Sequence, residues 1–187
     1  MIDIVCKQGL RKLSGINKLV LASRLSNLRI PKAPNEAKNF SRMKNALLYS
    51  SSYDLDEGIC KDLHKNGGAL LFSFSDIFPE YGFRRAIMLS KMRLAFASCR
   101  RNGANAIVCT MANENHLTRT AYELDAFKAV LGMTVHEKKH SDSIAKKLLV
   151  EKKASGEKNP SGAKSAVSGK KIPSADKKAV IQKQKRI

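Results

Sequence analysis

Three acidic residues stand where an α/β protein places its chemistry. Asp54, Asp76 and Glu114 each follow the end of a short apolar run by no more than four residues. Carboxylates at the ends of parallel strands can bind a divalent cation or move protons. The simpler assignment is favoured here: Asp54 caps a helix and Asp76 opens a loop. His136 and His140, four residues apart, can share a helical face. The adjacent Lys138 and Lys139 disfavour a cation between them, and no metal is expected on the protein. No GxxxxGK[ST], GxGxxG or GxSxG pattern occurs, and Asn66-Gly67-Gly68 precedes a strand, where it reads as a turn. Cys6, Cys60, Cys99 and Cys109 form no CxxC pair and are expected to be buried free thiols of a reducing compartment, so a cytoplasmic location is expected.

These residues need elements to hold them. Strands are predicted at Ile2–Cys6, Lys18–Ser23, Ala46–Ser50, Ala69–Phe74 and Ala106–Thr110. Their runs are nearly continuous in apolar residues, as for parallel strands covered on both faces. A helix capped by Asp54 or Asp56 runs to Asn66-Gly67. A longer one runs from about Glu80 to Arg101, with Met88, Met92, Ala95, Phe96 and Cys99 on one face. A third spans Ala121–Leu131 and stops at Gly132. A fourth starts near Ser141, with Ile144, Ala145, Leu148 and Leu149 on its apolar side. The alternation predicts a parallel α/β fold. A complete eight-fold barrel takes about 250 residues, so a barrel built on 1–150 is expected to be reduced or incomplete.

Charge divides the chain. The 187 residues carry a net +19. Residues 151–187 hold eleven Lys and Arg against three Asp and Glu, with few large apolar side chains, and are read as a disordered basic tail. Residues 1–150 hold 24 Lys and Arg against 13 Asp and Glu, with enough apolar residues for a core. A polyanionic partner is implied. No run of about 18 apolar residues suggests a membrane span, and the first residues do not read as a secretory signal. Basic residues cluster at Lys7–Lys12, along the predicted long helix at Arg84, Arg85, Lys91 and Arg93, at Arg119, and at Lys138–Lys147. Aromatic residues are 6% of the chain and most Phe positions look packed, so shape and backbone recognition is expected rather than sequence readout.

The order of several short motifs resembles one family. Asn66-Gly67-Gly68-Ala69-Leu70-Leu71-Phe72-Ser73-Phe74-Ser75 is similar to a strand of the thirty-kilodalton protein subunit of ribonuclease P, component 3 in archaea. Phe83-Arg84-Arg85-Ala86 matches the opening of that family's long helix. Cys109-Thr110-Met111-Ala112 matches its next strand end, with Met111 where Gly or Ser is usual. Arg119, Glu123-Leu124, Leu131-Gly132-Met133, Ser141 and Ile144–Leu149 follow in step. Ala121 stands where a Pro is common and Ser90 where a second helix Arg is common. The likeness covers under half of the chain well, and part of the family's N-terminal half is missing.

The resemblance implies a TIM-barrel-like fold and a non-catalytic subunit. It implies pairing with a small ferredoxin-like subunit, archaeal component 2. Together they support the catalytic RNA that removes 5′ leaders from precursor tRNA, with magnesium held by the RNA and no cofactor on the protein. Arg85 and Arg119 match motif positions; with Arg84, Lys91, Lys146 and Lys147 they form the expected RNA-binding set. The alternatives are a general basic RNA-associated factor and a metal-dependent barrel phosphoesterase.

Overall fold

The computed structural model describes residues 1–150, and the predicted tail at 151–187 lies outside the described residues. Six strands and five helices follow in order: β1 (Ile2–Val5), β2 (Lys18–Leu21), β3 (Leu28–Arg29), α1 (Pro34–Ser41), β4 (Leu47–Tyr49), α2 (Glu57–Lys65), β5 (Ala69–Ser73), α3 (Gly82–Asn102), β6 (Asn105–Cys109), α4 (Ala121–Val130) and α5 (Val135–Val150). All strand pairs are parallel. One sheet runs β3-β4-β5-β6 and a second pairs β1 with β2. The two meet just past β6, where Met111 donates its N–H to the Ile4 carbonyl at 2.8 Å and Cys6 donates to that of Ala112 at 2.7 Å. No pairing joins β2 to β3 among the described residues, and no closed barrel is seen.

The strands alternate between two cores, as a two-residue period requires. Leu48, Leu70, Phe72, Ala106 and Val108 face a core completed by α1 to α4, including Ala37, Leu63, Met92, Phe96, Cys99, Leu124 and Phe127. Leu47, Ala69, Leu71, Ile107 and Cys109 face a second core, where Ala145, Leu148 and Leu149 of α5 pack with Ile4. Both faces are therefore dry, which explains the unbroken apolar runs. Gly68 lets β4 and β5 approach: a Cβ there would lie 2.7 Å from the Ala46 carbonyl oxygen. Gly103, at φ +71°, ends α3 in the left-handed conformation that glycine adopts without steric cost.

Four expectations change. β3 and α1 were not anticipated, although Pro34 and Glu36 in the first turn of α1 are helix-start signals. The last helix begins at Val135 rather than near Ser141. Thr134 and Glu137 form a reciprocal cap: Glu137 accepts from the Thr134 N–H at 2.7 Å and the Glu137 N–H donates to the Thr134 hydroxyl at 3.3 Å. Asp56 occupies the position before α2, but its side chain makes no capping bond. Cys6 is exposed, whereas Cys60, Cys99 and Cys109 are buried; all four are free.

Candidate functional site

The carboxyl ends of the strands hold the densest polar cluster. Asp76, in a 3-10 turn after β5, accepts from the Tyr49 hydroxyl at 2.6 Å and the Tyr53 hydroxyl at 2.7 Å. Burial raises its pKa above the usual carboxylate value, opposed by the two phenol bonds. Both phenols are pushed well up, by burial first and then by the carboxylate. Tyr53 has a φ of +52°, rare for a non-glycine residue, and its ring stacks on Phe72 at 5.5 Å. Its oxygen also accepts the Ser73 N–H at 2.8 Å. Tyr53 is thus fixed at both ends of its side chain, and Asp76 ties the end of β4 to the end of β5.

Asp3 does the same for β1 and β6. It is buried in the middle of an apolar strand. It accepts the N–H groups of Ile4 and Thr110 at 2.9 and 2.8 Å and the Thr110 hydroxyl at 2.7 Å. Desolvation raises its pKa against those three bonds. Sequence reading missed it, because an aspartate in an apolar run carries no sign of a partner 107 residues away.

The acidic candidates do not converge. Asp76 is held by tyrosines, Glu114 lies 3.2 Å from His116, and Asp54 is exposed beside another cleft. The run His136-Glu137-Lys138-Lys139-His140 does have the His-Glu-x-x-His order in which two histidines bind zinc and the glutamate acts as base, contrary to the sequence reading, which takes that glutamate as missing. The fold employs these residues otherwise. Arg100 grips Glu137 with two bonds of 2.6 and 2.8 Å, holding its carboxyl down to about 2, and His140 Nε2 sits 3.2 Å from Asn105 Oδ1. No group of three His, Cys, Asp or Glu is placed to hold a metal among the described residues.

The six expected RNA-binding residues fall into three settings. Arg119 is largely enclosed, its side chain 13% exposed. Its guanidinium lies 4.6 Å from the centre of the Phe74 ring and 5.0 Å from that of Phe78, and it donates to the carbonyls of His116 and Thr118, both at 2.7 Å. Arg85 is half-buried, donating to the Glu80 carbonyl at 2.7 Å and lying 5.3 Å over the Tyr81 ring. Arg84 and Lys91 are exposed on α3, seven residues and so about 10.5 Å apart along the axis. Lys146 and Lys147 are exposed on α5, which packs on the other face of the sheet. The structure therefore separates the α3 pair from the α5 pair.

α3 carries six Lys and Arg and no Asp or Glu in 21 residues. Arg100 and Arg101 are neutralised by Glu137 and Glu57, and Arg93 donates to the Val130 carbonyl at 2.8 Å. A cleft of about 460 Å³ between the segment after β1 and β2 is edged by Lys7, Lys18 and Arg24 over Leu19 and Leu21. No helix of the described residues is long and apolar enough to cross a membrane. No protein-family model matches the chain, and no curated protein matches it.

Proposed function

We propose that this chain is a non-catalytic, RNA-binding protein subunit of ribonuclease P, working in the cytoplasm beside the RNA that removes 5′ leaders from precursor tRNA. The observation that carries the RNA-binding part is α3: a 21-residue surface helix with six basic residues and no acidic one, presenting Arg84 and Lys91 to solvent. Phosphate is the ligand such a helix suits, because each neutralised phosphate releases condensed counterions. The assignment to ribonuclease P rests on the motif order from Asn66 to Leu149. The sequential strand order β3-β4-β5-β6, with α1 to α4 packed in one core, is compatible with a reduced (β/α) barrel, which we propose as the fold family.

On this reading magnesium belongs to the RNA, the protein supplies no catalytic group, and a small ferredoxin-like subunit is its protein partner. Arg84, Arg85 and Lys91 serve one RNA contact, and Lys146 and Lys147 serve a second on the other face of the sheet. Arg119 supports the first by holding the loop before α4. The test is purification of the tagged full-length chain from its native cells at moderate salt, with sequencing of the RNA it carries. Enrichment of ribonuclease P RNA over ribosomal RNA is the expected result. Bulk ribosomal RNA would instead make the chain a general basic factor, and no RNA would end the RNA-binding reading.

A further inference from the structure

The aromatic residues are not distributed as core packing demands. Of eleven Phe and Tyr, four are exposed, and all four lie in or beside the first turns of α3 and α4. Phe78 is 36% exposed, Tyr81 75%, Phe83 80% and Tyr122 83%. β5 and β6 are parallel neighbours, so the helices that follow them start at the same end of the sheet. Phe83 and Tyr122 hold equivalent places, the second residue of α3 and of α4.

Local folding explains Phe78, which lies 5.0 Å from the Arg119 guanidinium and 5.5 Å from the His116 ring, but not the other three. Tyr81 occupies the cap position of α3 yet makes no side-chain capping bond, where Ser, Thr, Asp or Asn would stabilise the helix. Phe83 and Tyr122 leave most of their ring surface in water, although a ring of this size usually contributes its large area to a core or an interface. The charged groups nearby are mixed. Arg84 and Arg85 adjoin the rings on α3, and Arg85 covers one face of Tyr81. Glu80 precedes them, while Glu123 is engaged in the Thr120 cap and Glu114 faces His116. Beyond the first turn every charged residue of α3 is basic, with Lys91 two turns after Arg84, and Ile87 and Leu94 are exposed beside them.

We propose that Tyr81, Phe83 and Tyr122 form a stacking surface for unpaired bases of a single-stranded RNA segment, with Arg84 and Lys91 taking phosphates of the same strand. The proposal rests on the RNA-binding reading and narrows it to unpaired rather than helical RNA. Exposed rings beside a basic track are the combination that single-stranded nucleic acid requires, since every base offers a π face and every nucleotide a charge. The expectation that most Phe positions are packed holds for five of the seven, and the proposal concerns the rings that are exposed.

The test uses the full 187-residue chain and two fluorescent probes of equal length, an oligouridylate and a fully paired RNA hairpin, each titrated over a range of salt. Phe83→Ala and Tyr122→Ala are at exposed positions, and thermal melts confirm that both fold. Each is expected to weaken oligouridylate binding about tenfold while leaving the slope of log affinity against log salt unchanged. Phe83→Leu, which keeps the apolar bulk but loses the ring, should lose nearly as much. Lys91→Ala should instead reduce the salt slope by about 0.7. Wild-type oligouridylate affinity in Phe83→Ala and Tyr122→Ala, or an equal loss on the hairpin, overturns the stacking proposal but leaves RNA binding standing. Loss of a co-purifying acidic protein with unchanged RNA affinity would assign the rings to a protein partner and also overturn it. Failure of the wild type to bind either RNA at low salt removes the RNA-binding reading itself.

Discussion

The strand ends and the outer edge of α3 contain the same kinds of side chain in opposite states. Around the ends of β5 and β6, Asp3, Asp76 and Arg119 are hydrogen-bonded to Thr110, Tyr49, Tyr53 and main-chain carbonyls. On α3, Arg84 and Lys91 have no ion-pair partner among the described residues, and Phe83 has most of its surface in water. Polar groups of the first kind resist removal because their partners would be left buried and unpaired. Groups of the second kind cost little to remove from the fold. The place where α/β enzymes usually carry chemistry is thus occupied here by fold-holding contacts, and the groups free to meet a ligand lie beside it.

The largest expected effect is Asp3→Ala. It strands the Thr110 N–H in a dry core, leaves the Thr110 hydroxyl only the Ile4 carbonyl 3.4 Å away, and should lower stability by about 3 kcal/mol. A denaturant midpoint close to wild type would show that the strand-end network is dispensable and erase the contrast. Arg119→Ala removes two ring contacts and two carbonyl bonds, with an expected loss of about 1–2 kcal/mol. Arg119→Lys sharpens the point, because charge is kept while the planar fork is lost. If RNA affinity survives in Arg119→Lys but melting temperature falls as in Arg119→Ala, the residue is a clamp for the loop. The reverse result would return it to the RNA contacts.

A smaller effect follows from pH. Arg100 depresses the Glu137 pKa from 4.5 to about 2 in the folded chain. Between those values the unfolded chain binds the extra proton, so this contribution is present above about pH 4.5 and is lost as pH falls toward 2. Glu137→Gln should flatten that part of the stability curve. Asp3 and Asp76, whose pKa values are raised, act in the opposite direction: the folded state takes up a proton first, so stability falls as pH rises through the window above 3.8. Melting curves of Glu137→Gln and wild type between pH 2 and 6 check the sign; identical curves would remove Glu137 from the balance. The smallest change in stability belongs to Arg84→Ala, within about 0.5 kcal/mol as for other surface substitutions, while its RNA affinity should fall with salt less steeply than wild type.

Much of the framework was legible in the residues. The runs at Ala69–Phe74 and Ala106–Thr110 are β5 and β6 within a residue, because buried parallel strands must be apolar on both sides. The inward face of α3 was legible for the same reason, as Met92, Ala95, Phe96 and Cys99 recur at helical spacing and are buried. β3 was not, since two residues carry no period. The fully buried Lys128 was not either: its ammonium bridges Asp125 at 3.0 Å and Asp142 at 2.9 Å, joining α4 to α5, and nothing in a surface-type residue announces that position.

What the sequence determined by itself is periodicity, net charge and local capping, because each depends on neighbours a few residues away. Those sufficed for a parallel α/β body, for a basic chain and for the stop at Gly132. What only the tertiary structure decided is which charges are spent and which rings are bare. That depends on partners such as Thr110 for Asp3, Tyr49 for Asp76 and Arg100 for Glu137, brought together from distant parts of the chain. A carboxylate or guanidinium has the same formula in both settings. Burial and a fixed partner change the energy of its charge, and only folding supplies them.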